Sequence, residues 1–222
     1  LGNEFVFAPA PAKWNTYDPQ RRQTLAIFGA ATLGVFLLKK NPFAQLIHKY
    51  FIQPPGGREN NLLAKCIRCG ECVRVCPTNA IQPSVTEAGA EGLWTPILVT
   101  RLGQCDYGCN SCGQVCPAQA IPPLSLEEKR KTVIGIAVID KDRCLAWGKN
   151  TPCIVCEEMC PLSPKAITLD EVYVRKDRGE TLLIQRPVVH NDKCIGCGIC
   201  ELKCPVEGVS AIRVQAIETV EM

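Results

Sequence analysis

The chain has 222 residues, 46% hydrophobic and 21% charged, with a formal net charge of +3. That length allows one domain or two, and that charge balance sets aside a nucleic-acid binder. The unusual feature is sixteen cysteines against two histidines.

The first twenty residues, Leu1 to Gln20, are polar and contain proline, Trp14 and Tyr17, and read as an extended strap. Arg21 and Arg22 precede Thr24 to Leu38, fifteen residues without a charge, which Lys39 and Lys40 close. As a helix this run spans ~22 Å, short of a ~30 Å hydrocarbon core. It is expected to be a retained membrane anchor, because Lys39-Lys40-Asn41-Pro42 follows it and no small-residue cleavage site does. Phe43 to Ile52 fits an interfacial stretch, and Pro54-Pro55-Gly56-Gly57 makes a linker. The expected division is therefore 1–57 for strap, anchor and linker, and 58–222 for a repeat array.

In the array the cysteines fall in four groups, each ending in Cys-Pro. The first is Cys66, Cys69, Cys72 and Cys76; the second Cys105, Cys109, Cys112 and Cys116. The third is Cys144, Cys153, Cys156 and Cys160; the fourth Cys194, Cys197, Cys200 and Cys204. Their starts lie 39, 39 and 50 residues apart. An apolar exit follows each: Asn79-Ala80-Ile81, Gln119-Ala120-Ile121, Lys165-Ala166-Ile167 and Ser210-Ala211-Ile212. Strand-like runs 96–99, 134–139 and 187–189 precede the later groups, whereas 60–64 reads as helix. Each repeat is thus strand, cysteine loop, short helix and strand, and one repeat must pair with another to bury a core.

Groups one and four have the Cys-x2-Cys-x2-Cys-x3-Cys-Pro spacing of bacterial [4Fe–4S] ferredoxins. Three close thiolates wrap three corners of one cubane, and the fourth reaches the neighbouring cluster. Gly70, Gly196 and Gly198 let backbone amides approach the sulfurs, and proline after the last cysteine fixes the turn. Groups two and three are expanded, the former by one residue and the latter by the eight-residue stretch Leu145 to Pro152 where groups one and four have two residues. All sixteen cysteines are accounted for as iron ligands of four [4Fe–4S] clusters. Four oxidised cubanes at roughly −2 each would take the chain's +3 to roughly −5. Zinc needs neither the third cysteine nor Cys-Pro, and disulfides at these spacings would be strained. Cys105-x3-Cys109-x2-Cys112 matches radical-SAM spacing, but Cys116-Pro117 follows on schedule and no barrel fits the length. Trp147 reads as a packing residue, and His48 and His190 as satisfied surface or interface residues. No catalytic triad, carboxylate pair or phosphate loop is evident, so no catalytic residue is assigned.

CIRCGECVRVCPTNAIQP, GLWTPILVTRLGQC and the third group's TPCIVCEEMCP resemble the NapG/MauM-type polyferredoxins, membrane-associated four-cluster carriers that accompany periplasmic oxidoreductases. The resemblance covers Arg58 to the end, and Arg21-Arg22 with the apolar run is similar to that family's twin-arginine signal. The chain departs from the pattern in beginning at Leu1, so residues precede it in the gene or were removed. Longer relatives look like fusions with a multi-helix NapH-type membrane part, of which this chain would be a piece. The resemblance implies an α+β fold of paired ferredoxin-like halves, tandem or nested, with an N-terminal anchor helix. Nesting, first group with fourth and second with third, is favoured by analogy with four-cluster subunits of molybdoenzymes and by the absence of a strand before group one. Sequential pairing is the alternative.

The function expected is a non-catalytic electron-transfer subunit of a membrane oxidoreductase complex. It would link a quinone- or haem-linked membrane partner to a catalytic subunit or soluble carrier, in contact with lipid. The extracytoplasmic face is favoured over the cytoplasmic one, because twin-arginine export carries proteins already folded around their clusters. The rival readings are an enzyme with substrate at one cluster, which the full ligand count opposes, and a structural or assembly subunit stapled by clusters, which four exceed the need for.

Overall fold

In the computed structural model, the described residues are 24, 52–57, 59–85, 87–89, 91–175 and 181–217. The strap, the anchor run apart from Thr24, the interfacial stretch through Phe51 and His48 lie outside them. Among the described residues no helix is long and apolar enough to cross a membrane.

The chain exits each cysteine group on an Ala-Ile pair, and all four pairs are buried, at 0–3% exposure. Cysteine groups carry few large side chains, so these pairs supply the recurring core beneath each loop. The helices between cysteines are correspondingly short. Helix α1 is Glu59–Lys65, α2 Glu71–Val75 and α3 Ser111–Gln114. After α4, Leu126–Lys131, come α5, Val155–Glu158, and α6, Ile199–Lys203. A proline two residues past α2 and α6 stops them, since it has no N–H to continue the ladder.

The second half is a complete two-repeat module. Strand β3, Ile136–Ile139, leads into group three, and β6, Ile212–Gln215, leaves group four. They pair antiparallel from Ile136↔Gln215 to Ile139↔Ile212. Between the groups, β4, Ile167–Arg175, pairs antiparallel with β5, Thr181–Val189, in register from Ile167↔Val189 to Arg175↔Thr181. Thr168, Asp170 and Glu171 of β4 are exposed, and Ile184 of β5 is fully buried.

Among its described residues the first half has only the inner pair. Strand β1, Ile81–Pro83, leaves group one and β2, Pro96–Leu98, leads into group two, in antiparallel register Ile81↔Leu98. The outer strands are replaced by the segment 52–57 and α1. Leu98 N–H donates to Ile52 O at 2.7 Å, and fully buried Leu62 of α1 packs on Ala120 and Ile121.

The halves meet at group four. Val214 of β6 joins the first half's core with Ile52, Ala80, Ile81 and Leu98. Thr100 Oγ1 donates to the buried Glu201 carboxylate at 2.7 Å, which also accepts Val214 N–H at 2.7 Å. The Arg101 guanidinium caps the end of α6 by donating to Glu201 O, Cys204 O and Val206 O.

Candidate metal centres

The sixteen thiols, none in a disulfide, are sorted by the fold around four cavities. Cys66, Cys69 and Cys72 line the first with Cys116. Cys105, Cys109 and Cys112 line the second with Cys76. Cys144, Cys153 and Cys156 line the third with Cys204, and Cys194, Cys197 and Cys200 the fourth with Cys160. Each cavity therefore takes three cysteines from one group and the last cysteine of its partner group. The partners are one with two and three with four. This corrects the nested expectation. Among the described residues no strand precedes group one, and α1 and residues 52–57 fill that place, so no strand from group four is needed.

The second and fourth cavities measure about 20 to 30 Å³, as does the third, whereas the first opens to about 300 Å³. Ile67 and Trp94 stand exposed at that wider opening. Neighbouring sets touch in a definite order. Cys72 and Cys116 face each other within the first set, and Cys72 also faces Cys112 of the second. Cys105 of the second set approaches Cys197 of the fourth, and its N–H donates to Cys197 O at 2.8 Å. Cys200 of the fourth faces Cys156 of the third. The series runs first, second, fourth, third.

Burial raises Cys72, Cys105, Cys112, Cys153, Cys156, Cys194, Cys197 and Cys200, because a lone thiolate loses its hydration. Burial and then Cys66 push Cys72 up to about 11, and burial and then Cys105 push Cys112 up to about 12. Burial and then Cys153 push Cys156 up to about 12; burial, opposed by the Ile199 amide, still leaves Cys197 at about 11. Cys76 goes the other way. Burial raises it, but the Thr78 side chain and the Ile81, Thr78 and Ala80 amides together hold it below the ordinary thiol value. Further amides point at sulfur, Ile121 N–H to Cys116 at 3.5 Å and Ala137 N–H to Cys194 at 3.4 Å. Crowded buried thiolates need a cationic metal core, and aimed amides favour sulfur that stays anionic, so the donor sets fit iron–sulfur cores. Among the described residues no three His, Cys, Asp or Glu side chains converge where one ion could hold them; the sulfurs ring cavities instead.

Of the other residues singled out in the sequence, Trp147 packs against the cluster of Cys144, Ala146, Ile184 and Ala211, and donates from Nε1 to Pro187 O at 3.0 Å. Lys141 and Arg186 lie over its ring, 4.4 and 4.8 Å from the centroid. His190 is half-buried, with Nε2 2.9 Å from Thr168 Oγ1. Sequence reasoning missed Thr78, Glu201 and Lys129. Lys129 sits in a run of charges that reads as a solvated helix face, yet it is buried beside Cys105.

Comparison with known proteins agrees with this sorting. The 4Fe-4S dicluster domain family matches residues 65–120 and 151–208, together just over half the chain. The first match spans groups one and two; the second starts at Thr151, after Cys144 and near the end of the insertion, and covers the rest of group three and group four. The chain is 39% identical to the methylamine utilization ferredoxin-type protein MauM of Methylorubrum extorquens over 73% of this chain and 71% of the relative. It is 35% identical to the ferredoxin-type protein NapG of Escherichia coli over 70% of this chain and 67% of that one. A MauM of Paracoccus denitrificans is 33% identical over 89% and 84%. The chain thus belongs to the NapG/MauM-type family of ferredoxin-type electron carriers built on 4Fe–4S centres.

Proposed function

We propose that the chain is the electron-transfer subunit of a membrane oxidoreductase complex and holds four [4Fe–4S] clusters on its sixteen cysteines. The observation that carries this reading is the contiguous series of four four-cysteine cavities, each completed by the last cysteine of its partner group. When bound, such clusters supply one-electron couples whose potentials the protein sets through charge, hydrogen bonds and burial. The polypeptide's part is to hold adjacent sites at fixed separation and to keep water from the sulfurs. The Cys105–Cys197 backbone bond, the Thr100–Glu201 contact and the Arg101 cap do this at the join.

The ends of the series are the first and third sets. One end would meet a quinone- or haem-linked membrane partner and the other a catalytic subunit or soluble carrier. The apolar run Thr24 to Leu38 would anchor the chain in lipid, with residues 58–222 on the extracytoplasmic face; Arg21-Arg22 before that run supports this sidedness.

Anaerobically purified protein is expected to carry about sixteen iron atoms per chain, and about eight or fewer would sink the cluster assignment. A reporter placed after Met222 that works on one side of the membrane tests sidedness, and cytoplasmic activity would refute it. Release by carbonate wash would refute the anchor.

A further inference from the structure

Lys129 is 4% exposed, although lysine is almost never buried without a partner. It lies on α4, whose start is fixed by a capping box between Ser125 and Glu128. Its neighbours Glu127, Glu128 and Lys131 point to solvent. Its Nζ instead turns inward and donates to Asp106 O, the residue next to Cys105, which places its charge beside the Cys105 sulfur. Among the described residues no carboxylate forms an ion pair with it. A buried ammonium without an anion costs far more than one carbonyl contact returns. The anion it faces is the thiolate of the second cysteine set.

The second half supplies the comparison. Cys194 opens group four as Cys105 opens group two. The Cys194 sulfur accepts the neutral amide of Ala137, on β3. Among the described residues the first half has no such outer strand, and α4 brings a full positive charge beside the equivalent sulfur. A fixed cation favours whichever redox form is more negative, and that is the reduced one.

We propose that Lys129 is a positioning residue that holds the site of Cys76, Cys105, Cys109 and Cys112 at a more positive reduction potential than its neighbour on Cys160, Cys194, Cys197 and Cys200. The two sites are adjacent across the Cys105–Cys197 backbone bond, so the charge makes the series uneven at its middle, with the electron favoured on the first-half side. This inference rests on the cluster assignment proposed above.

The test compares Lys129→Met, Lys129→Gln and Lys129→Arg in the full chain, loaded and handled anaerobically, by iron analysis and potentiometric EPR titration. Wild-type protein without iron–sulfur signals that titrate would defeat the cluster assignment itself, separately from this proposal. Given those signals, Met and Gln should each move one component negative and leave the others in place. The expected shift is tenfold or more in the reduced-to-oxidised ratio at fixed potential, about 59 mV for one electron. Arg should stay near wild type. Loss of one cluster's iron from Met and Gln with full loading of Arg would equally show that the charge is required. Unchanged midpoints in a fully loaded Met or Gln variant would overturn the proposal. So would an Arg variant as impaired as Met.

Discussion

Gly70 and Gly198 hold equivalent places in groups one and four, and they make a controlled experiment. Each is the N-cap of its helix, with φ 75° and ψ 1° at Gly70 and φ 81° and ψ 1° at Gly198. Left-handed backbone charges any alanine ~1–2 kcal/mol, so this cost is common to both positions. The surroundings differ. A Cβ at Gly70 meets nothing within 4 Å, whereas one at Gly198 would lie 2.3 Å from Thr100 Cγ2 and 2.7 Å from Thr100 Cβ. Thr100 cannot swing away easily, because it is buried and its hydroxyl is tied to Glu201. Overpacking of that kind adds ~1–3 kcal/mol. Gly198→Ala should therefore cost roughly twice what Gly70→Ala does, and should strain the join between the halves. Thr100→Ser removes the offending methyl and keeps the hydroxyl, so in the Gly198→Ala background it should restore ~1 kcal/mol, within the usual range for coupled contacts. The assay is the rate of cluster-absorbance loss at one temperature in anaerobically loaded protein, where ~1.4 kcal/mol reads as up to tenfold. Equal rates for the two alanine variants, or no rescue by Thr100→Ser, would refute the argument that close approach sets the demand for glycine at Gly198.

Three further outcomes are expected. Cys116→Ser should perturb the same EPR component as Cys69→Ser, and Cys204→Ser the same one as Cys153→Ser; a Cys116 variant that instead matches Cys153→Ser would restore the nested pairing. Glu201→Leu leaves the Thr100 hydroxyl and the Val214 amide without their acceptor, each worth ~1–3 kcal/mol when buried, and should lower resistance to denaturant by more than Glu171→Leu at an exposed position of β4. In metal-free protein, thiols raised from the ordinary 9.0 to about 12 at Cys112 and Cys156 favour the compact state below pH 9 and lose that contribution as pH climbs toward 12. Circular dichroism of the apo chain should therefore show structure falling between pH 9 and 11, while a trace that is flat or rises with pH would contradict the sign.

What the sequence made legible is what is local. Cysteine spacing, the Ala-Ile exits and the helical run 60–64 all depend on residues a few positions apart, and the structure has them where the pattern put them. Strand pairing was half read. Val172 and Val174 alternate with Glu171, Tyr173 and Arg175 along β4, and that period-two signal was available, whereas the continuous run Leu182-Leu183-Ile184 of β5 carries no such alternation. Group pairing was not available, because spacing within a group says nothing about which other group receives its last thiol. That choice is made by tertiary closure, through Leu62 on Ala120 and Ile121 and through the β3–β6 pair. Lys129 was hidden for a related reason. A charge among charges looks solvated until a fold places a sulfur beneath it.

The two halves also differ in what they ask of one backbone position. Arg68 and Gly196 are the third residues of the two unexpanded groups, and both have positive φ, 58° and 76°. Gly196 has no alternative, since a Cβ there would stand 2.4–2.6 Å from the backbone of Gly135. Arg68 meets no such wall, and it tolerates a left-handed conformation that costs ~1–3 kcal/mol. The guanidinium it gains donates to Glu91 O at 2.8 Å, pinning the loop that carries exposed Trp94 beside the widest cavity. Duplication alone would have kept the cheaper glycine at both places. Close packing explains the glycines at Gly135, Gly196 and Gly198 around the fourth set, of which Gly198 faces Thr100 across the join, and open space at the first set lets it carry a charged side chain instead. On the electron-transfer reading, the sites that must stay at fixed separation are the closely packed ones. The open, cationic and apolar surface lies at an end of the series, where a partner has to reach it.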